Sequence, residues 1–379
     1  MTANGTGANT GNFVYGDASV LEFNYNGSFS ASGVTFFPNV DANTVPIFRN
    51  ARASVSVGGG SPTVVNGIFE VAPGLTVTWT GAGLKTFRNG IRGDGNVTQG
   101  PTSGQFVING ATAELGGGGT VTLNANGLSI DPASVTTLSS DKTVDTSSGG
   151  IITVGGVLDL NGKTLAGDTT VTSGGTLKGS GTMAGIVTVS GGTVAPGSSI
   201  GAITFNNTPT LAGASVLEID RTASPNADQI IVPGGTLNFG GTLEVVNIGS
   251  PLQSGDSFTL FAAGGFGGST FDNVTLPSLD SGLSWDTSLL DTTGVVTVTG
   301  SGGGDTSSHL TIQRVGGSVQ LAIIGGAGVS YQLQYSDTLS PANWQNLGDV
   351  FVMPLEGTNI ITDVTAGTSR FYRAVTTSP

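Results

Sequence analysis

The sequence predicts an all-β protein: a parallel β-helix (β-solenoid) with a closing cap region and a small C-terminal antiparallel β-sandwich. Three observations carry this expectation. The phrase Gly-Gly-Thr-Leu/Val begins at Gly118, Gly174, Gly191, Gly234 and Gly240, with a near copy, Gly-Gly-Val-Leu, at Gly155. From 118 to 155 is 37 residues, from 155 to 174 is 19 and from 174 to 191 is 17, one or two units of about 18 residues, which is what three short strands and their turns require. Second, 64 of the 379 residues are glycine and only 10% are charged, while β-branched residues dominate the apolar set, as strands prefer. Third, a Gly/Ser stretch near residue 300 is followed by short alternating segments bounded by turns, the pattern of an antiparallel sandwich.

Residues 1–106 read as early, aromatic-rich coils of the solenoid. Phe13, Tyr15, Phe23, Tyr25 and Phe29 are interleaved with polar residues, which implies a wider, aromatic interior or a laterally covered face. Residues 107–204 form the regular solenoid. In "IITVGGVLDLNGKTL", Val157, Leu158, Leu160 and Leu165 are available for apolar ladders, and glycine turns the corners where φ must be positive. No aromatic residue lies between Phe106 and Phe205, so this part is a narrow aliphatic tube of about five coils, or about 25 Å of stack.

Aromatics return at Phe239, Phe258, Phe261, Phe266, Phe271 and Trp285. Residues 205–300 are therefore read as closing coils and cap, because an open solenoid end must be covered by larger side chains or extra hairpins. Residues 301–308 are a Gly/Ser linker, and 309–379 the small sandwich.

Several function classes drop out on composition. A net charge of −13 repels nucleic acid and anionic membrane surfaces. Without cysteine there are no disulfides and no thiolate metal sites, and oxidising surroundings do no harm. The N-terminus has neither the basic nor the apolar region of a signal peptide, and no run approaches the length of a membrane-spanning helix. Either the signal peptide has been removed or the chain is a piece of something larger, and a secreted protein is the expectation.

The stretch "VTSGGTLKGSGTMAGIVTVSGGTVAPGSSIGAITFNN", with "LEIDRTASPNADQIIV" and "GLSWDTSLL", resembles the autotransporter-associated β-strand repeat region of secreted bacterial proteins, over about residues 115–300. "GAGLKTFRNG" and "GVLDLNGKTL" are similar to phrases of large β-solenoid surface proteins. "YQLQYSDTLSPANWQNLG" and "RFYRA" resemble the small β-sandwich that ends many secreted proteins of environmental bacteria. The resemblance implies an extracellular or cell-surface protein. A full autotransporter continues into a long outer-membrane barrel, for which these residues leave no room, so self-translocation by that route is not expected.

Candidate chemistry is sparse. His309 is the only histidine and has no paired carboxylate near it in sequence. Parallel β-helices can carry polysaccharide lyases and hydrolases, whose charged side chains gather across adjacent coils. Asp141, Asp145, Asp159 and Asp168 are the candidates, although their turn-like neighbours suit caps of backbone amides better. Convergence of three or more charged side chains in one groove is the observation that would favour such an enzyme.

Lys85, Arg88 and Arg92 concentrate positive charge; they read as a solvated corner, or as a contact for a neighbouring subunit or an acidic glycan. "GDGN" lacks a full calcium-binding repeat, and the glycine runs at 116–119 and 302–304 lack the lysine and strand-to-helix setting of a phosphate loop. Tyr331, Tyr335, Trp344 and Tyr372 could form a sugar platform, or could be core of the sandwich. The resulting expectation is a structural protein without catalysis and without cofactor: a surface fibre, matrix component or adhesive stalk. Its partners would be itself, head to tail through open coil ends, or a cell-surface or matrix polysaccharide. The alternatives are a carbohydrate-active β-helix enzyme and a glycan-binding or attachment module in the C-terminal sandwich.

Overall fold

A computed structural model of the chain describes residues 19–23, 28–37, 44–51, 53–300, 308–326, 328–354, 357–364 and 369–377. Phe13, Tyr15, Tyr25, the side chains of Phe23 and Phe29, and residues 301–307 of the expected linker lie outside them. Nearly every described element is a strand, and three long parallel sheets of twelve, eleven and nine strands dominate. The chain visits the three faces in turn. Val20–Phe23, Ser28–Ser30 and Thr35–Phe36 make the first circuit, and Ile47–Asn50 then returns to pair in parallel with Val20–Phe23. The last complete circuit is Thr193–Pro196, Ala202–Phe205 and Thr210–Leu211.

Strands form here because each pairs with the coil before and the coil after, so that the short segments have their backbone hydrogen bonds met on both sides. Alternation then sends every second side chain inward. Register aligns Ile130, Val154, Val171, Val189 and Leu211 in one column on the third face, and Leu165, Met183 and Phe205 in another on the second face. All are buried. Leu158, Leu160 and Leu165 point inward as expected, but Val157 does not. Adjacent residues of a strand cannot share a face, and Leu158 takes the inner position.

The aromatic early coils are part of the same stack. Their interior is a chain of rings: Phe36 against Phe48 at 4.3 Å, Phe48 against Phe69 at 5.8 Å, and Phe69 against both Trp79 and Phe87 at 5.4 Å. Phe106 ends the series at 5.3 Å from Phe87 and pairs onward with Leu128, so the interior narrows from aromatic to aliphatic without a break in the sheets. Five first-face strands, from Ala113–Leu115 to Thr193–Pro196, then span the aliphatic tube.

At the far end the third face stops at Thr210–Leu211, while the first continues to Asn273–Thr275 and the second to Phe261–Phe266. Phe239 packs on Phe261 at 4.9 Å and on Phe271 at 4.6 Å, plugging the interior. The short helix Leu290–Thr293 ends at Gly294 with φ of 74°. The Gly294 carbonyl accepts hydrogen bonds from Leu260 and Phe261 at 2.8 and 3.2 Å, and a β-carbon there would sit 2.1 Å from the Phe261 oxygen.

Contacts divide the chain into two compact units: Met1–Ile248 with Thr259–Leu276 and Leu289–Val295, and Gly249–Phe258 with Pro277–Ser288 and Val296–Pro379. Trp285, expected in the solenoid cap, belongs to the second unit, where its Nε1 donates to the Pro277 carbonyl at 2.9 Å. The second unit contains the expected antiparallel sandwich. One sheet is His309–Val315, Ser318–Ile324 and Thr358–Asp363; the other is built around Ser330–Ser336, with Gln345–Asn346, Phe351–Val352 and Phe371–Thr376. Val319, Leu321 and Ile323 from the first meet Tyr331, Leu333 and Met353.

Stacked columns make truncation costly, because the coils above and below cannot close on the gap. Leu177→Ala should lower unfolding free energy by about 2–5 kcal/mol, read from urea unfolding, whereas Thr188→Ala on the outer side should change it by less than about 1 kcal/mol.

Candidate functional site

In-register stacking puts equivalent positions of successive coils about 4.8 Å apart on the outer surface. On the first face this gathers charges far apart in sequence. Glu22, Arg49 and Glu70 occupy one row, and Arg92 stands beside Glu70. Glu70 receives Arg49 Nε on Oε1 at 2.5 Å and Arg92 Nε on Oε2 at 2.9 Å, and Arg92 reaches on to Glu114 at 3.3 Å. Ser139 Oγ donates to the other oxygen of Glu114 at 2.5 Å. Three coils further on, Lys178 pairs with Asp159 at 3.5 Å.

Charged side chains therefore do converge across adjacent coils, and Arg49, Glu70 and Glu114 escaped the sequence reading. A signal was present: 49, 70 and 92 are separated by 21 and 22 residues, the coil length of this part of the stack, whereas Glu114 pairs in register with Gly90 and meets Arg92 on the diagonal. The chemistry of the row is closed on itself. Burial of Glu70 works against its charge, but hydrogen bonds and attraction from Arg49 and Arg92 outweigh it and hold the carboxyl below its ordinary range. Such a group is a poor acid, and with both oxygens engaged by guanidinium it is a poor base.

The expected basic corner at Lys85, Arg88 and Arg92 is not a solvated cluster. Lys85 is 1% exposed, and its Nζ donates to the carbonyls of Gly59, Gly81 and Gly83 at 3.2, 3.1 and 2.5 Å. It occupies an inward slot two residues before Phe87, so it offers no charge to a subunit or glycan. Arg92 is spent on Glu70 and Glu114, and Arg88 is half-buried. A second lysine does the same: Lys142, 3% exposed, donates to Gly116, Gly117 and Gly119 at 2.9, 3.3 and 2.6 Å.

The four-glycine run at 116–119 thus turns carbonyls toward a cation, opposite in polarity to a phosphate cradle. Glycine is required there: Gly117 has φ of 77°, and a β-carbon would lie 2.2 Å from the Gly93 oxygen. In "GDGN", Asp94 accepts the Gly118 amide at 2.7 Å and Asn96 accepts the Thr120 amide at 2.9 Å, tying one coil to the next.

The four aspartates considered for catalysis cap backbone amides. Asp141 accepts from Thr164, Asp145 from Ser147, Asp159 from Asn161 and Asp168 from Ile186, at 2.8, 3.0, 2.9 and 2.9 Å. Sequence gave no sign of Asp228, which is buried and accepts the Gly201 and Glu218 amides at 2.7 and 2.8 Å; burial pushes it up to about 6. His309 is exposed on an edge strand, and among the described residues no three His, Asp or Glu side chains gather to hold a metal ion.

The four aromatics of the sandwich do not share a platform. Tyr331 is fully buried, with its hydroxyl accepting the Gly326 amide at 3.1 Å. Tyr335 and Tyr372 stand opposite each other on one face. Tyr335 lies under Arg370 at 4.0 Å and donates to Gln345. Tyr372 donates to the buried Asp363 at 2.9 Å, and burial together with that carboxylate pushes it up to about 12. Trp344 is covered by Arg373 at 4.3 Å, and Arg373 pairs with Gln334 on the opposite side of the sheet from Tyr335. No family model matches this chain, and no curated protein matches it.

The carbonyl cage yields a pH test. Burial pulls Lys142 from its ordinary value to about 8, with Asp94 opposing. Between about 8 and the ordinary lysine value of about 10.4 the unfolded chain binds more protons than the folded one, so Lys142 makes stability rise with pH through that window. In Lys142→Met this rise should be smaller. At pH 7 the variant should lose about 1–3 kcal/mol through unsatisfied carbonyls, both read from unfolding curves at each pH.

Proposed function

We propose that this protein is a structural component of the extracellular space or cell surface, a β-solenoid scaffold or stalk whose repeat is of the autotransporter-associated kind. The observation that carries the reading is the uninterrupted run of three parallel sheets around a filled interior, from the aromatic coils to the phenylalanine plug. Such a stack transmits load along its axis through backbone hydrogen bonds in every coil. Around it, charged groups are engaged with one another, in the Arg49–Glu70–Arg92–Glu114 row, or with backbone, in the lysine cages and aspartate caps. Absence of cysteine, an acidic net charge and a low share of charged residues suit an oxidising exterior.

Of the expected forms, a stalk is favoured over a filament grown coil on coil. The third face stops two strands short of the second and three short of the first, so the end of the stack is stepped and offers no flush surface for a second copy. No helix among the described residues is long and apolar enough to cross a membrane.

The test pairs location with turnover. Immunogold labelling of producing cells should place the protein outside the cytoplasm. The full chain, incubated with neutral and uronic acid polysaccharides, should release neither reducing ends nor unsaturated products. Turnover that disappears in Glu70→Gln or Glu114→Gln would establish the carbohydrate-active reading instead.

A further inference from the structure

The sandwich is unfinished on one side. Among the described residues, His309–Val315 is the outermost strand of its sheet and pairs with Ser318–Ile324 through seven consecutive positions without a bulge. Leu310, Ile312 and Arg314 stand opposite Ile323, Leu321 and Val319, all three of them core residues. Leu310 still packs against that core, yet Ile312, beside fully buried Leu321, is 56% exposed. The apolar layer thus runs out to the edge strand and stops uncovered. On the strand's other side Val315 is also exposed.

Edges that must stay single carry lysine, proline or a bulge. "HLTIQRV" has none of these and only one charge, Arg314. Residues 309–379 hold three arginines and four acidic residues, 3 − 4 = −1, in a chain of −13, so this module is where two copies repel least. It also concentrates apolar exposure: among the described residues, nine of the eighteen exposed large hydrophobic side chains lie within it.

We propose that His309–Val315 pairs antiparallel with the same strand of a second copy, forming an isologous dimer whose two three-stranded sheets become one. The strand is self-complementary about Ile312. Ile312 meets its own copy, Thr311 meets Gln313, Leu310 meets the aliphatic stem of Arg314, and His309 meets Val315, so no like charges are opposed. A two-fold contact of this kind closes on itself and gives a dimer, not a fibre. The inference is independent of the scaffold reading, since it concerns the sandwich alone.

Sedimentation velocity on the full chain tests it. Wild type should sediment as a dimer, Ile312→Lys as a monomer with an unchanged circular dichroism spectrum, and Ile360→Lys, on the opposite edge strand of the same sheet, as a dimer. Because the chain contains no cysteine, Ile312→Cys should form a covalent dimer under mild oxidation, and Ile360→Cys should not. A wild-type monomer, a dimer that survives Ile312→Lys, open-ended oligomers, or cross-linking equal at the two positions would each overturn the proposal. A monomer would leave the edge to a strand of a different protein.

Discussion

The constraint on which everything else depends is parallel stacking in register. Once each strand pairs with its counterpart one coil away, every position becomes a column, and neighbours in a column lie about 4.8 Å apart. Inside, a column of Ile130, Val154, Val171, Val189 and Leu211 is self-consistent because branched aliphatic groups of similar size pack well. Outside, a column of like charges would repel at every step. The low share of charged residues and the outer rows of Thr and Ser follow from this. Where charge does enter a row, it alternates in sign, as at Glu22, Arg49, Glu70 and Arg92.

The corners obey a different rule. There the backbone leaves the sheet, and its carbonyls and amides need partners that the next coil does not supply. Two chemistries meet the need. Aspartates 94, 141 and 168 reach one coil along to cap amides, while Lys85 and Lys142 turn inward and gather three carbonyls each. An ammonium in such a cage is desolvated but fully paired, which explains how a lysine can occupy an interior slot at all. In these positions charge is mortar between coils.

The fold was legible because its causes are local and repeated. Gly155, Gly174, Gly191 and Gly240 do mark one corner, each just before a first-face strand. The same phrase at Gly118 sits between the first and second faces and at Gly234 inside Gln229–Leu237, and the coil length varies, 17 residues at one step and 24 at another. Alternation marks the inner face, and the shift from aromatic to aliphatic filling shows directly in the order of residues. Side-chain direction was legible only in part. Val157 and Leu158 look alike in composition, and only pairing assigns the inside to Leu158. The charged row was missed because its members are neighbours only after register is known, although Arg49, Glu70 and Arg92, 21 and 22 residues apart, repeat the coil. The lysine cages were missed for the opposite reason. Lysine is read as solvated, whereas Lys142 and Val144 alternate with Thr143 and Asp145 as inner and outer residues, a local sign that the lysine points inward.

Stacking and sandwich also resolve the edge problem differently. The solenoid turns most of its strand edges into interior ladders, ends in a stepped, phenylalanine-plugged cap, and spends its charges internally. The sandwich has few strands, so a large fraction of its backbone lies on edges, and its single layer of core cannot cover both. Unpaired backbone is thus concentrated in the small antiparallel module, and paired backbone in the large parallel one, a separation that follows from how each satisfies its hydrogen bonds.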